Sequence, residues 1–190
     1  MIMSLNSSSP GTHSVPLAIA CLNTNGAILE LGCGTYSTPL LHTISTKQAR
    51  QLHTVDHTLA WLQKFLHLQT DFHTFEHLSC GSFNVTWYET MYRLSPYWSK
   101  RIDLAWDEVG KDQPWSVVFL DQLPLSRRIK DIKRLRSATE VFVIHNTNFI
   151  GNWLSEFWPY LQTFKYLYTF PVFPATVVCS DTVDIQSFFA

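Results

Sequence analysis

Gly32 and Gly34 close the apolar run Ala27-Ile28-Leu29-Glu30-Leu31 and are followed at once by Thr35, Tyr36, Ser37, Thr38 and Pro39. Glycines in such a place let the backbone turn sharply and meet a ligand with no side chain in between. Ser37 or Thr38 can cap the helix that follows, with Pro39 in its first turn, and the unpaired N–H groups of a helix start face a polar or anionic ligand. Asp56, followed by His57, closes a second apolar run. It lies at roughly the 20-residue distance at which an acid ending a second strand meets the two ribose hydroxyls of an adenosine cofactor. Asp121 and His145 close two further runs and bring a carboxylate and an imidazole to the same kind of position. The plainer alternative is a structural tight turn beside a surface acid.

These residues need a scaffold that carries strand ends to one edge. His13 to Leu22 fits a short helix, with Val15, Leu17, Ala18, Cys21 and Leu22 on one side, and Asn23 to Gly26 ends it. Leu40, Leu41 and Ile44 keep helical spacing after the turn, and Gln51 to Val55 reads as the second strand. Thr58 to about Leu68 is expected as one helix, and Phe75 to Cys80 as a third strand. Gly81 to Pro114, rich in Trp and Tyr, is the least legible part, with a helix expected over Arg101 to Val109. Trp115 to Leu120 is an apolar run interrupted only by Ser116, as in a central parallel strand buried on both faces. Ile129, Ile132 and Leu135 form a helix stripe, and Val141 to Ile144 gives another buried strand. Trp153 to Leu161 reads as a helix interrupted by Pro159, and Lys165 to Phe170 with Thr176 to Cys179 as an antiparallel pair. Strands alternating with helices from Ala27 to Phe157 make an open parallel α/β sheet, which binds ligands beyond the carboxyl ends of its strands.

The chain of 190 residues, 46% hydrophobic, suits one domain, expected over 13–190 behind a flexible tail at 1–12. A net charge of -1 supplies no general attraction to nucleic acid or an anionic membrane, so neither is an expected partner. The first basic residue is Lys47, so Val15 to Leu22 lacks the flank of a signal peptide, and no run is long enough to span a bilayer. A soluble, cytoplasmic protein is expected. The four cysteines are scattered without paired spacing, which reads as reduced core thiols.

The run Ile28 to Gly34 resembles the first motif of the class I S-adenosylmethionine-dependent methyltransferases, in which an acid precedes the glycine turn by two. Leu52 to Asp56 with Trp61 is similar to their second motif, and Val117 to Asp121 to that of strand four. The likeness is closest to members with Ser-Thr after the glycines, an Asp then an Arg after strand four, and His-Asp-Thr after strand five. Here these are Ser37-Thr38, Asp121 with Arg127, and His145-Asn146-Thr147. The resemblance implies a Rossmann-like, seven-stranded, mostly parallel sheet with helices on both faces and a C-terminal antiparallel hairpin. It implies that S-adenosyl-L-methionine is the cofactor and that Glu30, Gly32 and Gly34 hold its methionine moiety. Thr35, Tyr36, Ser37 and Thr38 would close the turn at the sulfonium end, Asp56 and His57 the ribose, and Asp121 the amino group or the transferred methyl. Adenine contacts would come from the region after Cys80. Tyr36 replaces the usual third glycine, and Asn146 replaces an expected Asp.

Metal-dependent relatives gather Mg²⁺ with carboxylates after strands four and five, and a hard cation prefers charged oxygens. With Asn146 in that place, metal-independent transfer to a small-molecule acceptor is expected, with His145 as the candidate base and backbone bonding as its alternative role. Arg127, Arg128, Lys130, Lys133, Arg134 and Arg136 are read as a solvated helix face, and His73 and His77 as surface histidines rather than metal ligands. Two other classes compete. A nicotinamide-dependent oxidoreductase would use Gly32, Gly34 and Ser37 as a dinucleotide fingerprint. A catalytically silent binding module would explain Tyr36 and the lack of a clear base.

Overall fold

The computed structural model describes residues 12–80, 85–170 and 172–189. The tail expected over 1–12 lies outside them except for Thr12, which is buried. The described elements run α1 (Ser14–Leu22), β1 (Ile28–Leu31), α2 (Ser37–Gln48), β2 (Leu52–Asp56), α3 (Leu59–Leu62), β3 (His73–His77), α4 (Val85–Leu94) and α5 (Pro96–Asp107). They continue with β4 (Trp115–Leu120), α6 (Arg128–Leu135), β5 (Thr139–Ile144), α7 (Thr147–Trp153), α8 (Phe157–Leu161), β6 (Tyr166–Phe170) and β7 (Thr176–Ser180).

One seven-stranded sheet has the order β3-β2-β1-β4-β5-β7-β6. Neighbours from β3 to β5 pair in parallel, and β7 runs antiparallel to both β5 and β6. The Rossmann-like sheet with a closing hairpin is therefore present. The chain reverses direction across the sheet between β1 and β4, which makes their carboxyl ends the switch point where open α/β sheets bind ligands.

Alternation along the strands divides the core in two. Leu29, Leu31, Val118, Leu120, Phe142 and Ile144 pack with Tyr88, Trp106, Ile129, Ile132 and Phe157 from α4, α5, α6 and α8. Ile28, Val117, Phe119, Val141 and Val143 pack on the other face with Leu17, Cys21, Leu41 and Ile44 of α1 and α2. Helices thus cover both faces, which is why the central strands are largely apolar. All four cysteines are free and buried. No helix among the described residues is long and apolar enough to cross a membrane.

Several local expectations are corrected. The helix expected over 58–68 breaks into α3 and a 3-10 turn at Leu66–Leu68, since only Leu62 and Phe65 reach the core while Leu59 and Leu66 stay exposed. β3 begins at His73, earlier than expected, because Leu52 pairs with His73 and Asp56 with His77. Within the stretch 153–161 only α8 is helical beyond Trp153, the last residue of α7, and Pro159 sits in the first turn of α8, where its missing N–H costs no helical bond. The helix expected over Arg101 to Val109 is the second half of α5, which Ser95 caps by accepting from the Trp98 amide.

Candidate functional site

The last rungs of the parallel ladder fix the strand ends. Gly32 N donates to Val55 O at 2.8 Å, Asp121 N to Leu31 O at 2.8 Å and His145 N to Leu120 O at 3.1 Å. Each residue that follows a strand is thereby held level with its neighbours. Gly32 has φ +90°, and a Cβ there would lie 2.5 Å from Gln122 N and 2.6 Å from Asp121 C. Its absent side chain lets the turn after β1 pack on the turn after β4. A side chain at Gly32 would therefore disturb the fold itself, because backbone and not ligand space fills the position.

The glycine turn is pinned from three sides. Cys33 N donates to Asp56 Oδ2 at 3.0 Å, Trp61 Nε1 donates to Cys33 O at 2.6 Å, and Gly34 N donates to Thr38 Oγ1 at 2.9 Å. Asp56 Oδ1 also accepts from Thr58 N at 2.7 Å. Beneath the turn, the fully buried Glu30 accepts from Ser37 Oγ at 2.6 Å, Thr38 Oγ1 at 3.0 Å and Thr54 Oγ1 at 2.8 Å. Burial pushes its carboxyl up to about 7, against the pull of these three hydroxyls. Ser37 and Thr38 therefore do not cap α2. Tyr36 holds the cap position without a side-chain bond, and Ser37 and Thr38 lie inside α2 with their hydroxyls turned to Glu30. Thr35 and Tyr36 form the exposed tip.

A second cluster gathers after β4 and β5. Asp121 Oδ1 lies 3.1 Å from His145 Nδ1 and accepts from Arg128 Nη2 at 3.1 Å and Asn146 Nδ2 at 3.4 Å. Burial opposes its ionisation, yet the bond to His145 and the charge of Arg128 hold the carboxyl below the usual range. Arg128, fully buried, also donates to Gln122 O and His145 O at 2.7 Å each. The Arg expected beside Asp121 was Arg127. It instead bonds Asp103, Asp107 and Asp131, so two members of the face expected to be solvated are interior ties.

The sequence-predicted residues Glu30, Gly32, Gly34, Thr35, Tyr36, Ser37, Thr38, Asp56, His57, Asp121 and His145 thus fall at or beside the ends of β1, β2, β4 and β5. They form two clusters, joined where Gly32 meets Asp121 and Gln122. His57 stacks on Tyr88 of α4, with centroids 4.1 Å apart, and burial lowers its pKa. Thr12 and His13 escaped the sequence reading. Thr12 Oγ1 is 3.3 Å from His145 Nε2, and the His13 ring lies 4.4 Å from that of His145 and stacks on Phe119 at 5.6 Å. Burial, then His145, lowers the pKa of His13 to about 4. No local period marks a histidine ahead of a helix as a neighbour of strand five. His73, expected at the surface, is fully buried beside Thr54. A separate concavity of about 370 Å³, lined by Gln51, His53, Glu76, Glu108, Asp112 and Trp115 among others, shares no residue with either cluster.

The strand order, the closing hairpin and the glycine turn at the switch point define a Rossmann-like methyltransferase fold. Solved structures share it. The S-adenosylhomocysteine-bound methyltransferase PaMTH1 of Podospora anserina is similar with a TM-score of 0.62 at 14% identity, over 92% of this chain and 79% of that one. The O-methyltransferase TomG of Streptomyces achromogenes, in complex with S-adenosylmethionine, gives 0.61 at 14% identity over 93% and 82%. An O-methyltransferase from Bacillus cereus, in complex with S-adenosylhomocysteine, gives 0.57 at 11% identity over 94% and 84%. No protein-family model and no curated protein matches the chain.

Proposed function

We propose that the chain is an S-adenosyl-L-methionine-dependent methyltransferase that acts on a small-molecule acceptor without a metal, in the cytoplasm, as a single domain over 13–190. One observation carries this reading: the amides of the glycine turn are already committed to the chain's own side chains, Cys33 N to Asp56 and Gly34 N to Thr38. Beside them the switch point presents the carboxylates of Asp56 and Asp121, with Glu30 buried beneath the turn. A pyrophosphate needs free N–H groups and meets repulsion here, whereas a ligand carrying a sulfonium and an ammonium is complemented. The same observation weighs against the nicotinamide reading.

S-Adenosylmethionine supplies an electrophilic methyl group when bound. Glu30, Gly32, Gly34 and the 35–38 tip would hold its methionine end, and Asp56 with His57 its ribose. Asp56 keeps acceptor capacity for this, since an ionised carboxylate offers about four lone-pair sites. Asp121 accepts a hydrogen bond from His145 Nδ1 and so leaves the lone pair on Nε2, which would serve as a base for the acceptor's proton once Thr12 Oγ1, 3.3 Å away, is displaced. A divalent cation fits poorly here, because Asp121 is paired with Arg128 and Asn146 brings no charge. The PaMTH1 and TomG complexes support the choice of cofactor. Isothermal titration of the folded protein should show binding of S-adenosylmethionine and its demethylated product, and no heat from either sinks the reading.

A second reading, a silent binding module, draws on the cover over His145 Nε2, which Thr12 Oγ1 occupies at 3.3 Å. Cofactor binding with no methyl transfer across a broad acceptor panel favours it.

A further inference from the structure

The carboxyl of Glu30 has no exposure to water, yet a chain of polar atoms leads from it to the half-buried His42 on α2. Thr54 Oγ1 donates to Glu30 Oε2 at 2.8 Å, and the same hydroxyl lies 2.9 Å from His73 Nε2. His73 Nδ1 in turn lies 3.3 Å from His42 Nδ1. The sheet register makes the chain, since Glu30 pairs with Thr54 on the next strand and His73 pairs with Leu52, two residues from Thr54 on the same face. A threonine hydroxyl carries one proton. When it points to Glu30, His73 must hold its proton on Nε2 and accept from His42 on Nδ1.

We propose that His73 and Thr54 are positioning residues for Glu30, forming a proton relay from His42 that sets the charge beneath the glycine turn. The proposal rests on the reading of that turn as the cofactor's seat. Protonation reverses every bond in the chain. Solvent protonates His42 on Nε2, the His42 Nδ1 proton passes to His73 Nδ1, the His73 Nε2 proton passes to Thr54 Oγ1, and the former Thr54 proton forms the O–H bond at Glu30 Oε2, so both histidines end neutral. His73 begins and ends neutral with its tautomer exchanged, in keeping with a pKa that burial, then His42 and His53, lowers to about 3. The other titratable groups acting on Glu30 are Asp56 after β2, Cys33 of the turn and Cys21 of α1. Burial raises both thiols, which stay neutral, and Asp56 opposes ionisation of Glu30.

The test is a pH titration of the full chain labelled with ¹⁵N-histidine, followed by long-range ¹H–¹⁵N correlation from about pH 5.5 to 8.5. His73 should pass from the Nδ1–H to the Nε2–H tautomer without charging, with a midpoint near that of Glu30. The exchange should vanish in Glu30→Gln and in Thr54→Val, and survive in Thr54→Ser. One His73 tautomer throughout in the wild type, or an exchange that persists in Thr54→Val, overturns the relay. Titration of S-adenosylmethionine gives the functional arm. Near pH 6 only roughly a tenth of Glu30 is ionised, so affinity should fall about tenfold from its pH 8 value through this group, and Glu30→Gln should lack that component. If the wild type binds neither S-adenosylmethionine nor its product while His73 still switches, the cofactor reading falls and the relay stands.

Discussion

The backbone amide of Cys33 donates to Asp56 Oδ2 at 3.0 Å, so the acid that ends β2 holds the glycine turn that ends β1. The same carboxylate accepts from Thr58 N at the start of α3. Asp56→Ala leaves two amides without their acceptor. We expect a loss of about 1–3 kcal/mol in urea unfolding, together with weaker cofactor binding by calorimetry. A variant of wild-type stability would mean that water replaces the carboxylate at no cost.

Gly32→Val should not yield a native fold. Its Cβ would lie 2.5 Å from Gln122 N, at a φ of +90° that side chains rarely adopt. Gly34→Ala meets only the Ser37 hydroxyl, at 2.9 Å and with no positive φ, and a side chain can shift. Thermal unfolding by circular dichroism should separate the two, with Gly34→Ala losing about 1 kcal/mol and Gly32→Val giving no cooperative transition.

Stability should peak near neutrality for reasons that differ on the two sides. Glu30 binds a proton in the folded chain up to about pH 7, while the unfolded chain releases it near 4.5, so this contribution falls as pH rises between the two values. His13 and His73 stay neutral when folded, with values lowered to about 4 and about 3, while the unfolded histidines charge at 6.5. Their contribution is lost as pH falls below 6.5. Each group changes stability by about 1.4 kcal/mol per pH unit inside its window. Urea unfolding from pH 4.5 to 8 should show a rise to about 6.5, then a decline that Glu30→Gln removes.

Arg127→Met tests the interior tie. Arg127 has no exposure and joins Asp103, Asp107 and Asp131, but Arg134 still donates to Asp131. The cost should be roughly 3 kcal/mol, the low end for a broken buried pair. Lys130→Ala, at a half-exposed pair with Asp103, should cost less than about 1 kcal/mol. Equal effects in the same denaturant series would show that the two cations share one environment.

His145→Gln addresses the chemistry. With the base removed and the glycine turn untouched, methyl transfer should fall about a hundredfold or more, while calorimetry shows unchanged cofactor affinity. A parallel loss of affinity would make His145 a binding residue.

Local pattern carried much of this molecule. Val117 to Leu120, within the run read from Trp115, and Val141 to Ile144 are legible because a parallel strand covered on both faces stays apolar through its centre until it ends. The first polar residue after each run, Asp121 and His145, therefore marks a strand end and a site position together. The glycine pair and Asp56 follow the same logic. Where side chains meet only one core or none, as in α3 or at the start of β3, the pattern blurred and the boundaries moved.

What the chain order could not specify is which distant residue each polar group meets. Arg127 and Arg128 are adjacent and alike, yet one enters the Asp103, Asp107 and Asp131 cluster and the other reaches Asp121. Glu30, Thr54 and His73 lie on three strands, and only the pairing register sets them in line. Thr12 and His13 reach His145 because α1 packs beside β4 and β5. Periodicity encodes which face of an element is apolar, and so the sequence by itself determined the layers, the strand ends and the glycine turn. Register and docking arise when those faces close on one another, and so the tertiary structure alone decided that Glu30 is buried beneath the turn, that Arg128 pairs with Asp121, and that His13 lies against His145.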